Sequence, residues 1–269
     1  MIDWKVAIQE DMLPGPSLDE RFAQASDLGL QGIEFWSEHL PAQAAEIERL
    51  SGQQGVVASS INNGRRSRFL DPDPEERDRA IAELSEAIEL AGRIGAAGVV
   101  FVPHFFDPLL PDLSPYKSAV ELELALLSAQ LEVLAEIAER ARVQLFVESV
   151  YREETHLLNR LEQASSVVDP LAHDRLAIVA DLFHMAHEEQ DSPLAIRQNQ
   201  AHIGHVHLAD SNRKLPGQGE TEFKPILEAL EEIDYAGWLA FECGSPGQNA
   251  PQADQYLAEL PDSLSSLFG

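Results

Sequence analysis

The segment LAIVADLFH, residues 176–184, carries the pattern from which the fold of this chain can be inferred. A short apolar run ends in an acid, Asp181, as is typical of a buried strand with a functional group at its end. Three further segments have the same form, and they place Glu148, His207 and Glu242 at strand ends. These segments are VQLFVES (143–149), HVHLAD (205–210) and WLAFEC (238–243). We therefore expect four side chains that point into one shared cavity.

The four side chains together form a candidate metal site. Three carboxylates and one imidazole make an oxygen-rich set of donors, which suits a hard divalent cation. We expect one bound ion, with Mn²⁺ in first place and Mg²⁺, Co²⁺ or Zn²⁺ as alternatives. Any one of the acids could instead be a helix cap or an ion-pair partner, but that explanation is harder to hold for all of them together.

Strand-like and helix-like segments alternate along the chain, which is the pattern of a parallel sheet covered by helices. Eight strands are predicted, at residues 4–9, 32–36, 56–61, 98–103, 143–149, 176–181, 203–208 and 238–243. We expect one α/β domain over 1–269, a single (β/α)8 TIM barrel, in which the C-terminal ends of all strands meet at one rim. The alternative, an open doubly wound sheet, would spread the four candidate ligands along a line.

Two features predict helices between these strands. Ile81, Leu84 and Ile88 lie on one helical face, and a longer apolar stripe runs from Val120 to Ile137. Prolines and acids at 71–74 suit the start of the first of these helices. Both stripes are interpreted as packing faces of the barrel and not as binding surfaces.

Composition narrows the function. The chain has 46 acidic and 19 basic residues among 269, a formal charge of −27, which opposes contact with a phosphate backbone. One cysteine, Cys243, excludes an internal disulfide framework and a thiolate metal cluster. The charged, proline-broken residues after Met1 do not resemble a signal peptide, and no apolar run approaches the length of a membrane helix. We expect a cytoplasmic protein without nucleic-acid or membrane partners, which could form a homo-oligomer.

Three longer motifs carry a resemblance to a known family. Residues 148–159 (ESVYREETHLLN) resemble the pattern E-x-x-N-R-x-E-T-x-x-x-N, and residues 181–185 (DLFHM) resemble D-x-x-H-M. Residues 205–219 (HVHLADSNRKLPGQG) resemble H-x-H…R-x-x-P-G-x-G, and a Phe-Glu pair ending at Glu242 follows in the same order. These patterns are those of the xylose isomerase-like barrel superfamily, in its sugar isomerase and ketose 3-epimerase branch, which includes D-tagatose and D-psicose 3-epimerases.

The resemblance implies roles for individual residues. The metal ligands would be Glu148, Asp181, His207 and Glu242; the residues that bind substrate hydroxyls would be Glu154, His184 and Arg213; and the acid/base pair would be Glu148 and Glu242. The chain departs from the pattern at Tyr151, where the branch usually has Asn. That departure bears on the substrate contacts near Arg152 and on the preferred sugar.

These residues suit proton transfer next to a carbonyl group. A divalent ion polarises the carbonyl and stabilises the enediolate, while two glutamates on opposite sides can remove and return the proton. Return to the other face of the same carbon gives epimerisation, and return to the neighbouring carbon gives aldose–ketose isomerisation. We therefore predict an isomerase of carbohydrate metabolism, either a ketose 3-epimerase or an aldose–ketose isomerase, that acts on a small-molecule sugar or sugar derivative.

Three other functions remain open at this point. Hydroxypyruvate isomerases look similar around Asp181 and the Pro-Gly-x-Gly segment, but they usually carry Gln where His207 stands. A DNA repair nuclease of the endonuclease IV type would need three zinc ions and further histidines, whereas strand three here ends in Asn62-Asn63 and strand four supplies only His104. A non-catalytic sugar-binding barrel would bind metal without exchanging substrate protons.

Several further residues have weaker claims. Trp36 and Phe105 follow predicted strands and are candidates to wall the pocket. Glu34 and His104 also close strands, so they are candidates for substrate contact, with ordinary packing as the alternative. We expect His205 to be structural and to face away from His207.

A basic cluster, Arg65, Arg66 and Arg68, follows strand three in this acidic chain. A solvated loop is the simpler interpretation. The alternative hypothesis is that the cluster attracts an anionic substrate such as a sugar phosphate or a hydroxy acid.

Overall fold

Eight parallel strands close into a barrel in a computed structural model that describes residues 4–64, 68–244 and 252–268. Each strand pairs with the next along the chain, and β8 pairs with β1. The strands are β1 (Lys5–Gln9), β2 (Gly32–Trp36), β3 (Val57–Asn62), β4 (Gly98–Phe101), β5 (Gln144–Glu148), β6 (Leu176–Asp181), β7 (Ile203–Leu208) and β8 (Trp238–Phe241). The predicted (β/α)8 barrel is confirmed, and the open sheet was wrong.

Helices surround the strands. Within the described residues they are α1 (Leu18–Asp27), α2 (Leu40–Leu50), α3 (Pro74–Ile94), α4 (Ala119–Ala141), α5 (Leu161–Val168), α6 (Leu182–Glu188), α7 (Ser192–Gln198), α8 (Phe223–Glu232) and α9 (Ala253–Phe268). The start of α3 is the predicted one, since the Asp73 carboxylate accepts the N–H of Glu75 as a cap. In the described ranges, no helix has both the length and the apolar character that crossing a membrane requires. That the whole of 1–269 forms one domain stays a prediction.

The interior of the barrel is layered because side chains two residues apart in a strand lie on the same face. A small apolar layer, made of Val100, Phe146, Ala177 and Val179, is separate from the large core between strands and helices. Two residues further along their strands, Phe146 is followed by Glu148 and Val179 by Asp181. The polar groups at the strand ends therefore lie directly above this apolar layer.

Candidate metal centre and substrate pocket

The four predicted metal ligands come together at the C-terminal rim of the barrel. Glu148 and Asp181 end β5 and β6, His207 lies in β7, and Glu242 directly follows β8. All of them are buried, and one candidate ligand atom from each lies within 4.8 Å of the others. Nδ1 of His207 is 3.0 Å from Glu148 Oε1, 3.1 Å from Glu242 Oε2 and 3.6 Å from Asp181 Oδ2. The four groups are close enough together to hold one metal ion between them.

The state of the Asp181 carboxylate fits a cation at this position. Asp181 is the N-cap of α6, and its Oδ1 accepts the N–H groups of Phe183 at 2.8 Å and His184 at 3.1 Å. Its Oδ2 is buried without a hydrogen-bond partner and lies 3.6 Å from Nδ1 of His207 and 3.9 Å from Nη1 of Arg213. Burying such an oxygen is costly unless it is paired. A divalent ion held by three carboxylates and one imidazole would supply the pairing.

The electrostatics of the cluster favour a bound proton among these groups. Burial raises the pKa of Glu148 to about 8; the charge of His207 opposes this rise, and the nearby acids Glu242 and Asp181 add to it. Burial alone would lower the pKa of His207, but the negative charges of Glu242, Glu34 and Glu148 outweigh it and hold that pKa well above its ordinary value. A metal ion that enters must therefore displace protons.

A small cavity opens beside two of the four candidate ligands, Glu148 and Glu242. All three predicted substrate-binding residues and both predicted wall residues line it. The lining consists of Trp36, Asn62, Gly64, Val102, Phe105, Glu148, Val150, Glu154, His184, Arg213 and Glu242. The aromatic rings offer apolar surface to a bound molecule, and the charged groups can hydrogen-bond with it.

Arg213 joins the metal cluster to the pocket. Its Nη2 donates to Glu242 Oε2 at 3.0 Å, and its guanidinium carbon lies 4.7 Å above the centre of the Phe183 ring. Burial would lower the pKa of Arg213, but the charges of Glu242 and Asp181 outweigh it and raise that pKa, so the guanidinium stays charged. The guanidinium is thereby fixed at the wall of the cavity.

His184 is held as a neutral ring. Burial lowers the pKa of His184 to about 3; the charge of Asp181 opposes this shift, and that of Arg213 adds to it. The backbone N–H of Tyr151 donates to His184 Nδ1 at 3.2 Å, and the Tyr151 ring stacks on the imidazole with centroids 5.3 Å apart. Tyr151, the residue that departs from the family pattern, therefore packs against His184 and helps to fix the orientation of its ring.

Asp210, a residue for which no role was predicted, shapes the loop that carries Arg213. Its fully buried carboxylate accepts the N–H groups of Gly217 at 2.9 Å, Gly219 at 2.7 Å and Thr221 at 2.9 Å. A Cβ on Gly219 would lie 2.4 Å from Asp210 Oδ1, so only glycine fits without displacement. The Pro-Gly-x-Gly segment is thus a loop folded around one carboxylate.

We expect Gly219→Ala to misplace Arg213 while leaving the metal ligands intact. The added methyl group must push away the Asp210 carboxylate, and a displacement near 1 Å of a positioning group costs about 10- to 100-fold in rate. The expected result is a fall of that size in kcat/KM, with the fold retained by circular dichroism. Gln218→Ala, at a neighbouring side chain that binds the exposed Glu259, is the matched control. Equal kcat/KM for the two variants would contradict the role given to this loop.

A second polar layer lies beneath the candidate metal ligands. Glu34 Oε1 is 3.2 Å from Nε2 of His207, and Glu34 Oε2 is 3.0 Å from Nε2 of His205. The prediction that His205 faces away from His207 was wrong, because residues two apart in a strand share a face. The His205 ring stacks on Phe146 inside the barrel. Glu34 sits behind His207 and is not among the residues that line the cavity in the described part of the chain.

Two amides that were missed in the sequence bind Glu242. Gln9 Nε2 donates to Glu242 Oε1 at 2.9 Å, and Asn62 Nδ2 donates to the same oxygen at 3.2 Å. Gln9 and Asn62 end β1 and β3. The rule that located the four ligands, a polar residue at the end of a barrel strand, would also have found them.

Other candidates lie outside the pocket. His104 Nε2 contacts the carbonyl of Asp107 at 2.8 Å, which is a structural role. Arg152 is exposed and pairs with Glu188 at 2.7 Å.

The basic cluster is only partly described. Arg68 pairs with Asp71 at 2.9 Å, while Arg65 and Arg66 lie outside the described residues. The hypothesis of an anionic substrate therefore stays a prediction.

Comparison with known proteins agrees with this geometry. A sequence model of the family described as xylose isomerase-like TIM barrel matches residues 22–265. A 3-dehydro-D-guloside 4-epimerase of Escherichia coli strain K12 is 25% identical over 251 residues, which cover 93% of this chain and 95% of that protein. An L-ribulose 3-epimerase of Mesorhizobium japonicum is 32% identical over 232 residues, covering 84% and 75% respectively. The crystal structure of a 3-keto-D-glucoside 4-epimerase from E. coli matches with a TM-score of 0.85 at 24% identity. The match covers 98% of this chain and 99% of that protein, which demonstrates the shared fold.

Proposed function

This chain belongs to the xylose isomerase-like TIM barrel family, and from that premise we propose that it is a metal-dependent sugar epimerase. The reaction is inversion of a carbon next to a ketone. The observation that carries the proposal is the pair Glu148 and Glu242, which converge on one candidate metal cluster at the wall of the cavity. Two carboxylates are what inversion requires, since one must take a proton and the other must return it to the opposite face.

The names of the relatives support the same chemistry. An L-ribulose 3-epimerase inverts carbon 3 of a ketose, next to the ketone at carbon 2. A 3-dehydro-D-guloside 4-epimerase inverts carbon 4, next to the ketone at carbon 3. In both cases the reacting proton is on the carbon adjacent to a ketone. Hydroxypyruvate isomerase is not favoured, because these relatives are sugar epimerases.

We assign the cofactor to the four groups at the strand ends. Glu148, Asp181, His207 and Glu242 would hold one divalent ion, with Mn²⁺ as the first choice. When bound, such an ion polarises the ketone and lowers the cost of removing the adjacent proton.

The chain's own residues then carry out proton transfer and orientation. One of Glu148 and Glu242, as a carboxylate, takes the proton from the carbon next to the ketone. The other, as a carboxylic acid, gives its proton to that carbon from the opposite face, so the two groups exchange protonation states in each turnover. Arg213, His184 and Glu154 orient the substrate through its hydroxyl groups. Trp36 and Phe105 flank the sugar with apolar surface and exclude water from the reacting carbon.

The first candidate is a ketose 3-epimerase, the function favoured by the longer motifs and by the relative that is 32% identical. A second candidate, 4-epimerisation of a 3-keto-glycoside, is favoured by the match in length with the E. coli protein, of which the alignment covers 95%. The two differ in the carbon that exchanges its proton.

Solvent deuterium distinguishes these candidates. The enzyme loaded with Mg²⁺, which does not broaden NMR signals, is incubated in D₂O with a panel of 2-ketoses and with 3-keto-glycosides. Deuterium at carbon 3 of a ketose is expected for the first candidate, and deuterium at carbon 4 of a 3-keto-glycoside for the second. Exchange at carbon 1 or 2 with formation of an aldose would instead identify an isomerase. Metal binding without exchange into any of these sugars would overturn the proposal.

We expect metal affinity to rise with pH through the neutral range. Below the pKa of about 8 at Glu148, that carboxyl holds a proton which the ion must displace, and His207, whose pKa is also raised, holds another, so each lower pH unit weakens binding by about tenfold or more. Affinity rises with pH because the deprotonated carboxylate binds the ion, and that form is the minor one below a raised pKa. Calorimetry with Mg²⁺ in buffers of different ionisation enthalpy counts the released protons. If neither the Kd nor the heat of binding depends on pH or buffer, metal binding is not coupled to proton release and the prediction is contradicted.

Other features are proposals that rest on the sequence. They are Mn²⁺ as the native metal, a cytoplasmic location, a possible homo-oligomer, and the absence of nucleic-acid and membrane partners.

A further inference from the structure

Glu34 is a buried carboxylate close to the candidate metal site that the proposed reaction does not use. It lies in β2, is 1% exposed, and is covered by side chains from three other strands. Ser60 Oγ donates to its Oε2 at 2.6 Å, and Gln9 Nε2 donates to its Oε1 at 3.0 Å. With His205 and His207 also in contact, both of its oxygens are held in place.

The position of Glu34 bears on the orientation of His207. Nδ1 of His207 faces the acids of the metal cluster, whereas its Nε2 lies 3.2 Å from Glu34 Oε1. If Nδ1 is to give its lone pair to a cation, the proton of the neutral ring must be on Nε2. An anionic acceptor at Nε2 stabilises that tautomer and fixes the plane of the ring.

Glu34 is also tied to a second candidate ligand. The Nε2 group of Gln9 donates both to Glu34 Oε1 at 3.0 Å and to Glu242 Oε1 at 2.9 Å. An amide nitrogen has two protons, so one Gln9 side chain can make both bonds. A shift of Glu34 would therefore move His207 directly and Glu242 through the Gln9 side chain.

We propose that Glu34 is a positioning residue that orients His207 through Nε2 and Glu242 through Gln9, and that tight binding of the divalent ion depends on it. This inference rests on the metal site of the proposed function. It goes beyond that function because it places a determinant of metal affinity on β2, outside the four ligands. Removing a partner of this kind typically costs about 10- to 100-fold in metal affinity.

The experiment compares Glu34→Gln with Glu10→Gln. Glu10 is a matched control because its carboxylate is equally buried, next to β1, and binds Arg21 at 2.7 Å and the N–H of Trp36 at 3.0 Å. We expect the Kd for Mn²⁺, measured by calorimetry without substrate, to rise about 10- to 100-fold in Glu34→Gln and to stay unchanged in Glu10→Gln. The visible absorption spectrum of the Co²⁺-loaded protein should change only in Glu34→Gln, because it reports ligand geometry.

The outcomes separate this inference from the proposed function. A wild-type protein that binds no divalent ion would refute the metal site itself. Wild-type binding that Glu34→Gln retains, with an unchanged Co²⁺ spectrum, would overturn only the positioning role. Two ions bound per chain would also overturn it, since Glu34, His205 and His207 would then form a second ion site.

A second variant covers the case in which Glu34→Gln does not fold. Gln9→Met keeps the volume of the side chain but removes the amide that bridges Glu34 and Glu242, so we expect a Kd for Mn²⁺ raised about tenfold. An unchanged Kd in Gln9→Met would then be the result that overturns the proposal.

Discussion

Replacing Glu148 or Glu242 by glutamine is expected to lower epimerisation and solvent deuterium exchange by about 10³-fold or more. A positioned acid or base alone contributes about 10²- to 10⁴-fold. Each of these glutamates is also one of the four groups that converge on the candidate ion, with an oxygen within 3.1 Å of His207 Nδ1. Glutamine keeps the shape of the side chain but neither accepts a proton at neutral pH nor supplies a charged ligand.

The structure also indicates that both variants should fold. Gln9 and Asn62 donate to Glu242 Oε1, and an amide oxygen at the same position can accept both bonds. Burial raises the pKa of Glu148, so the neutral form is already favoured there, and glutamine resembles it.

Glu189→Gln is a suitable control for these two variants. The Glu189 carboxylate is partly buried and accepts the N–H of Leu161, away from the cavity. Activity is measured by the rate of deuterium incorporation and by product formation, and folding by circular dichroism. Retention of activity within about tenfold in either Glu148→Gln or Glu242→Gln would refute the assignment of the acid/base pair.

Removal of divalent ions is expected to abolish turnover, and addition of Mn²⁺, Mg²⁺ or Co²⁺ to restore it. Three acids are buried within one small cluster, and Asp181 Oδ2 has no hydrogen-bond partner there. A bound divalent ion would polarise the ketone, and it would add to the pairing that His207 and Arg213 already give these carboxylates. Turnover that survives chelation, with metal content checked by mass spectrometry, would refute the mechanism.

The same ions are expected to stabilise the fold. A ligand present at about 100 times its Kd contributes about 2.7 kcal/mol to the free energy of unfolding. For a chain of this size that corresponds to a rise in Tm of about 5 to 10 °C. Thermal denaturation with and without Mn²⁺ measures it, and the variant Asp181→Asn, which weakens the site, should show a smaller rise.

Local patterns in the sequence were sufficient for the architecture. All eight predicted strands are present, because apolar runs with polar ends are visible within a few residues. The four candidate ligands were found in the same way, since each lies at or next to the end of its strand. Their convergence followed from the rule that strand ends meet at one rim of a barrel. Their roles in binding metal and moving protons stay predictions.

Contacts between distant strands were not visible in any local pattern. Gln9 and Glu242 are 233 residues apart, and they meet because the barrel closes β1 on β8. Glu34 was considered for substrate contact and His205 was expected to face away, yet both lie under His207. Asp210 had no assigned role until the loop through Gly219 was seen to fold around its carboxylate. Periodicity within a segment predicts which face of a strand is buried, but only closure of the barrel decides which buried groups share that face.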